Sequence, residues 1–316
     1  MSQQHWENYY RSGALATAPM DVHGSFTLEL AETWQSFFED LPCSARVLDI
    51  GTGNGIVLAF AVNLAARLNR QWTLHGTDLA QIDPIRDVAQ GDERFQNCQF
   101  YPGVANEALP FGDNAFDAVC GHYALEYSNV ADALTELRRV LKPAGVSQFV
   151  IHHRDSVLVE NAHKSLLTAD FLLNKVKIYQ KLRAFAEVPD DQAKVSSTYT
   201  RSLRAAIQAA KEMFATNEQQ FDQHLLRVVI DAVGQLLVIR SRQGSGAALK
   251  EMASAETDLR SAVKRLKDLI TVAMSKEQIN ELVVLAETCG LRCEDAAAQM
   301  HRGSVLVGWK VRLVAG

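Results

Sequence analysis

Residues 47–55 read VLDIGTGNG, with glycine at 51, 53 and 55 and aspartate at 49. An apolar strand that turns straight into a helix leaves free backbone N–H groups at the helix start, and these attract negative or polar ligand atoms together with the helix dipole. Glycine lets such a ligand approach, because it lacks Cβ and adopts unusual φ values at little cost. The spacing is GxGxG, not the GxGxxG of the dinucleotide fingerprint. Further along, His122-Tyr123 and His152-His153 supply imidazoles and a phenol that could move a proton. His152 and His153 are adjacent on one expected strand, so alternation sends them to opposite faces, and at most one enters a cleft easily. A third ligand for metal is not evident beside them, and Cys289/Cys293 form a lone CxxxC without a second pair. No metal is expected.

The elements that must position these residues are legible from their patterns. Strands are expected at 46–50 (RVLDI), 72–77 (WTLHGT), 98–101 (CQFY), 116–121 (FDAVCG) and 146–151 (VSQFVI). Helices are expected near 25–39, from 55 to 69, and over 130–141, the last stopping at the KPAG breaker. Strands alternating with helices argue for a doubly wound, mainly parallel sheet. From about 155 to 285 the pattern turns helical, with apolar residues such as Leu166, Phe171, Val176 and Leu182 at roughly helical spacing. Leu259, Val263, Leu266 and Ile270 make a narrow stripe, and RQGSGA at 242–247 reads as a hinge between two helices. Strand signals return at 292–298 and 304–314, after a helix ending at Gly290, and the turn between them suggests an antiparallel pair.

Several motifs in this order resemble the class I S-adenosylmethionine (SAM) methyltransferases. VLDIGTGNG is similar to their first motif, and NEALPFGDNAFDAV resembles the "AExLPFxDxSFDxV" stretch before the fourth strand. HYALEYSNVADAL and LTELRRVLKPAGV resemble the segments after the fourth strand and before the fifth. The resemblance covers about 1–153 and 286–316, and the subgroup it suggests is the ubiquinone/menaquinone-type small-molecule enzymes. It implies a Rossmann-like α/β sheet of seven strands, the last antiparallel, with an all-α insertion after strand five. The implied organisation is a SAM-binding core over 1–154, a helical insertion over 155–285 and the rest of the core over 286–316.

Carried over residue by residue, the resemblance implies the following roles. Asp49 orients the loop and the methionine ammonium; Gly51, Thr52, Gly53 and Gly55 pass the cofactor over the turn. Asp78 accepts from the ribose hydroxyls, Leu79 packs on the adenine, and Asn106 and Glu107 lie beside its edge. Gly121 and His122 end the fourth strand near the methionine, and HWENYY resembles an aromatic helix that closes over the cofactor, with Trp6, Tyr9 or Tyr10 near the sulfonium. Two positions depart from the family: Ala105 stands where many relatives carry an acidic residue, and Tyr127 where they often carry histidine. Methyl transfer is an in-line displacement served mainly by proximity and a dry site. If the acceptor needs a general base, the candidates are His122, Tyr123, His152 and His153, at the carboxyl ends of strands four and five.

Bulk properties bound the partners. The 316 residues carry a net charge of −5, 47% hydrophobic and 22% charged side chains, which fits a globular chain and disfavours nucleic acid. Five scattered cysteines suggest no disulfide framework, and no signal peptide or membrane span is evident, so a cytoplasmic protein is expected. The expected partner is a small methyl acceptor, apolar or aromatic, with a homodimer through the insertion as a further possibility. Two other functions stay open: a methyltransferase-like binding or regulatory module, and a protein methyltransferase that docks through the helical arm.

Overall fold

The computed structural model describes residues 4–13, 28–188 and 193–316. In chain order its elements are α1 (Gln4–Arg11), α2 (Leu28–Glu39), β1 (Arg46–Ile50), α3 (Ile56–Leu68), β2 (Thr73–Asp78), the single turns α4 (Pro84–Asp87) and α5 (Gly91–Arg94), β3 (Cys98–Pro102), β4 (Phe116–His122), α6 (Val130–Val140) and β5 (Leu141–Ile151). Then come α7 (Val157–Asp170), α8 (Ile178–Ala186), α9 (Ala193–Thr216), α10 (Gln223–Gln243), α11 (Ser245–Val272), α12 (Lys276–Thr288), β6 (Leu291–His301) and β7 (Val305–Ala315). Of the helix expected near 25–39, positions 25–27 lie outside the described residues.

The strands form one seven-stranded sheet in the order β3-β2-β1-β4-β5-β7-β6. β1 to β5 run parallel, and β7 enters antiparallel between β5 and β6. Alternation along the central strands feeds two cores. Val47, Ala118, Cys120 and Val150 face a cluster built on Trp34, Phe37 and Phe38 of α2 and Val57, Leu58 and Leu64 of α3. Leu48, Val119, Phe149 and Ile151 face the other, built on Leu134, Leu137 and Val140 of α6 and Ile279, Leu282 and Ala286 of α12. Covering both faces is what a parallel sheet needs, and it explains why these strands read as continuous apolar runs.

The chain divides into two compact units, residues 1–159 with 271–316, and residues 160–270. The second has its own core, including Leu172, Leu182, Leu203, Phe214, Val229 and Leu259. These limits differ from the 155–285 expected from the helical pattern. α12 begins with a capping box (Ser275 and Gln278) and buries its apolar face in the sheet's second core, so it belongs to the first unit despite following a long helical run. Helical periodicity identifies an element but not the core that its face joins.

A second difference concerns KPAG, expected to separate a helix from a strand beginning at 146. α6 does end at Val140, but extended pairing resumes at once: Phe116 pairs with Leu141, Ala118 with Val146, and the intervening residues bulge opposite Asp117. Ala144 takes φ +60 in that bulge, and Lys142 Nζ reaches both Asp117 carboxylate oxygens at 2.8 Å. After β5 the chain makes a short bridge to the segment preceding α12: Met274 N–H donates to His152 O (2.8 Å) and Arg154 N–H to Met274 O (3.0 Å).

Candidate functional site

The sheet order reverses between β1 and β4, and the carboxyl ends of these strands are where open α/β sheets hold ligands. The glycine turn lies there. Gly51, Gly53 and Gly55 all take positive φ (+58, +53 and +78), the region that L side chains avoid. A Cβ on Gly51 would lie 2.4 Å from that of Ala124, and one on Gly53 2.6 Å from a Tyr10 ring carbon. α3 starts directly after Gly55, so its N-terminal dipole points at the turn.

Two buried carboxylates hold the turn. Asp49, 1% exposed, accepts the Thr52 hydroxyl at 2.6 Å, and Cys120 Sγ lies 3.7 Å from its other oxygen. Asp78 closes β2 and accepts from Gly53 N–H and Ala80 N–H, both at 2.8 Å. Thr52 N–H in turn donates to Thr77 O (2.9 Å). Burial raises the pKa of Asp49 to about 7, outweighing its bonds to Thr52 and Cys120, and raises that of Asp78 to about 6. Asp49 is therefore an internal brace, whereas Asp78 carries spare lone pairs at the strand end.

α1 lies against the same turn. Asn54 Nδ2 donates to Tyr10 O at 2.8 Å, Trp6 stacks on Tyr10, and Trp6 meets Tyr127 edge-on at 5.7 Å between centroids. The array continues along the ends of β4 and β5: Tyr127 to His152 (6.0 Å), His152 to Tyr123 (3.9 Å), Tyr123 to His122 (4.5 Å) and His122 to Trp34 (5.8 Å). Gly121 is buried where β4 ends between Ile50 and Phe149, with too little room for a larger side chain. Leu79 is half exposed beyond Asp78. Asn106 Nδ2 donates to Ser128 Oγ (2.8 Å), and Glu107 accepts from Asn129 N–H (2.6 Å), so both tie the segment after β3 to the start of α6.

The four proton-transfer candidates are not equivalent. Tyr123 is anchored: its hydroxyl donates to Val307 O at 2.8 Å, and burial, with Glu126 nearby, pushes its pKa well above the ordinary phenol value. His153 turns away from His152, stacks on Trp309 at 4.2 Å and accepts Asp155 N–H at Nδ1. These partners engage the Tyr123 hydroxyl and one nitrogen of His153. His122 accepts Trp34 Nε1–H at Nδ1 (3.1 Å), and burial lowers its pKa to about 3; His152 is lowered to about 3 by burial and by His122. Both imidazoles stay neutral near pH 7 and are weak bases.

Glu126 was not among the expected residues. It lies in the short 125–127 turn after β4, is 5% exposed, and accepts His152 N–H through Oε1 at 2.7 Å. Its Oε2 is buried and has no hydrogen-bond partner among the described residues, and burial raises its pKa to about 7. The available signal was a glutamate wedged between Leu125 and Tyr127 directly beyond a buried strand.

Fold and site together define an open α/β sheet with a glycine-turn cofactor site at its switch point. Residues 47–145 match a family model described as a methyltransferase domain. The chain is 30% identical over 114 residues to a malonyl-[acyl-carrier protein] O-methyltransferase of Enterobacter lignolyticus, covering 36% of this chain and 41% of that one. It is 25% identical over 162 residues to a demethylmenaquinone methyltransferase of Chlorobaculum parvum, covering 45% and 63%. A solved SAM-dependent methyltransferase from Aquifex aeolicus is 13% identical, with 92% of both chains covered and a TM-score of 0.43. The chain thus spans under half the length of the first curated relatives it matches. Residues 47–145 thus carry a methyltransferase domain, for which SAM is the implied cofactor. The donor set fits this group: the Asp78 carboxylate stands at the strand end beside the backbone of the turn and the start of α3, with the Tyr10 ring lying over Gly53. Among the described residues, no helix is long and apolar enough to cross a membrane, and no group of three or more His, Cys, Asp or Glu is arranged for a metal.

Proposed function

We propose that the chain transfers a methyl group from SAM to a small-molecule acceptor, on oxygen or nitrogen, within a biosynthetic pathway in the cytoplasm. The observation that carries this reading is the Asp78–Gly53 bond, which fixes a carboxylate and a glycine turn against each other at the switch point. When bound, SAM supplies an electrophilic methyl on a sulfonium. Asp78 would hold the ribose hydroxyls, the 51–55 turn the methionine portion, and Trp6 and Tyr10 of α1 would exclude water. Tyr127 and His122, both partly exposed, offer an aromatic surface for the acceptor, which supports an apolar or aromatic molecule. The names of two relatives, a malonyl-[acyl-carrier protein] O-methyltransferase and a demethylmenaquinone methyltransferase, support a non-nucleic-acid acceptor.

Methyl transfer at such a site rests on proximity and orientation. Neutral His122 and His152 suit a dry pocket and do not compete for protons near pH 7. The test is isothermal titration with SAM and S-adenosylhomocysteine. Micromolar binding that weakens about a hundredfold in Asp78→Ala, the loss of two charge-assisted bonds, supports the reading. No binding by the folded wild type overturns it. A dimer arm is a further proposal for the 160–270 unit, and sedimentation equilibrium tests it through the concentration dependence of mass.

A further inference from the structure

The first unit contains a cavity of about 360 Å³ at the amino-terminal end of β2. Leu74 lines it, and four residues on Asp78 closes the strand, roughly 13 Å away at the rise of a β-strand. The cavity is therefore separate from the glycine turn. Val62 and Ala65 of α3, Trp72 and Leu74 give it apolar walls, and Arg70, Gln71 and Asn97 add polar groups. Its volume lies within the range of small-molecule sites, and a mostly apolar lining with a few convergent polar groups is their usual composition.

Arg70 supplies the chemistry. Its Nη1 donates to Cys43 Sγ at 2.6 Å, which fixes the guanidinium at the cavity. Its Nε is buried and has no hydrogen-bond partner among the described residues. A buried donor on a charged group is costly to leave unmet. The helix end does not meet it: the Ala65 carbonyl accepts Arg70 N–H, and Asn69 N–H is shared with Ala66 O. Those carbonyls are taken, so the cavity presents a positive donor edge against an apolar wall.

We propose that this cavity is a second ligand site, for a small carboxylate with an aryl or alkyl body. The carboxylate would accept from Nη2 of Arg70, away from the Cys43 contact, and a small shift of the side chain would bring the buried Nε–H to its second oxygen. The body would lie against Val62, Ala65, Trp72 and Leu74. A carboxylate fits better than a phosphate dianion, because a single guanidinium supplies the only positive charge in the lining. Neither the ligand class nor the location depends on the methyltransferase reading.

Trp72 provides the reporter: it lines the cavity, and its indole N–H donates to Pro42 O at 2.9 Å. The protein with ¹⁵N-labelled tryptophan is titrated with sodium benzoate, and with benzamide as the uncharged control, following the four indole N–H resonances. The Trp72 signal, assigned with Trp72→Phe, should shift and saturate with benzoate, and benzamide should bind at least about tenfold more weakly. Arg70→Gln should weaken benzoate by about the same factor, and Ala65→Leu, which fills the cavity and leaves the guanidinium, should abolish it. The proposal is overturned if Trp72 does not move at millimolar benzoate, or if the response centres on the Trp6 signal. Folded Arg70→Gln or Ala65→Leu protein that binds as tightly as wild type overturns it equally.

Discussion

The imidazole of His152 lies flat on the ring of Tyr123, with centroids 3.9 Å apart and planes within 4°. Tyr123 holds this position at φ +55, a value few non-glycine residues adopt, and three ties keep it there: its N–H donates to Val150 O, its hydroxyl to Val307 O, and its ring meets His122. The phenol ties the end of β4 to β7. Tyr123→Phe should keep the stack and SAM affinity and lose one buried hydrogen bond, about 1 kcal/mol. Thermal melts and titration check this; SAM affinity that collapses with the hydroxyl would reassign Tyr123 to the site.

Gly53 and Tyr10 set up a second test. Alanine at 53 must hold φ +53 and place its methyl 2.6 Å from the tyrosine ring. The expected result for Gly53→Ala is a loss of about 1–3 kcal/mol and displacement of α1. Trypsin cleavage after Arg11, an exposed residue at the end of that helix, should accelerate. Asn54→Ala, which removes the tie to Tyr10 O and leaves the glycine turn its native residues, should accelerate it less.

The buried carboxyls give stability a defined pH slope. Burial raises Asp49 from 3.8 to about 7, Asp78 from 3.8 to about 6 and Glu126 from 4.5 to about 7. Between the unfolded and folded values the folded protein binds more protons than the unfolded chain, so these groups make stability fall as pH rises through that window. Melting temperature should therefore decline from pH 5 to pH 7 on their account, and Glu126→Gln, which keeps an acceptor for His152 N–H, should flatten the slope. An unchanged slope in that variant would remove Glu126 from the explanation.

The helical unit has a core of its own, and Phe214 is fully buried in it among Phe171 and Phe221. Phe214→Ala should cost about 3–5 kcal/mol. Hydrogen exchange should show the loss in peptides from 160–270, with β1, β4 and β5 protected as before. Equal loss in the sheet would mean that the two cores unfold together.

Much of this was visible in the residues themselves. VLDIGTGNG marked β1, the turn and α3 because buried parallel strands and glycine turns leave local signatures, and the Asp78 position followed from the end of the next apolar run. Glu126 stayed hidden because its burial depends on β5 arriving alongside, a relation between positions 126 and 152 that no local pattern encodes. The same holds for Tyr123 and His153, whose chemistry is set by Val307 and Trp309, far along the chain. α12 looked like one more insertion helix because α6 and the strands β1, β4 and β5 whose core it joins lie well before it in sequence.

The bridge of His152 and Arg154 to Met274 closes a loop of roughly 120 residues at a single point beside the sheet. For a flexible chain, closing a loop of that length instead of a turn of about six residues costs only roughly 3 kcal/mol, because the entropy grows with the logarithm of length. A segment that folds on a core of its own and enters and leaves through one gate is a cassette. A lineage could lengthen, replace or lose it while β7 still finds its place between β5 and β6.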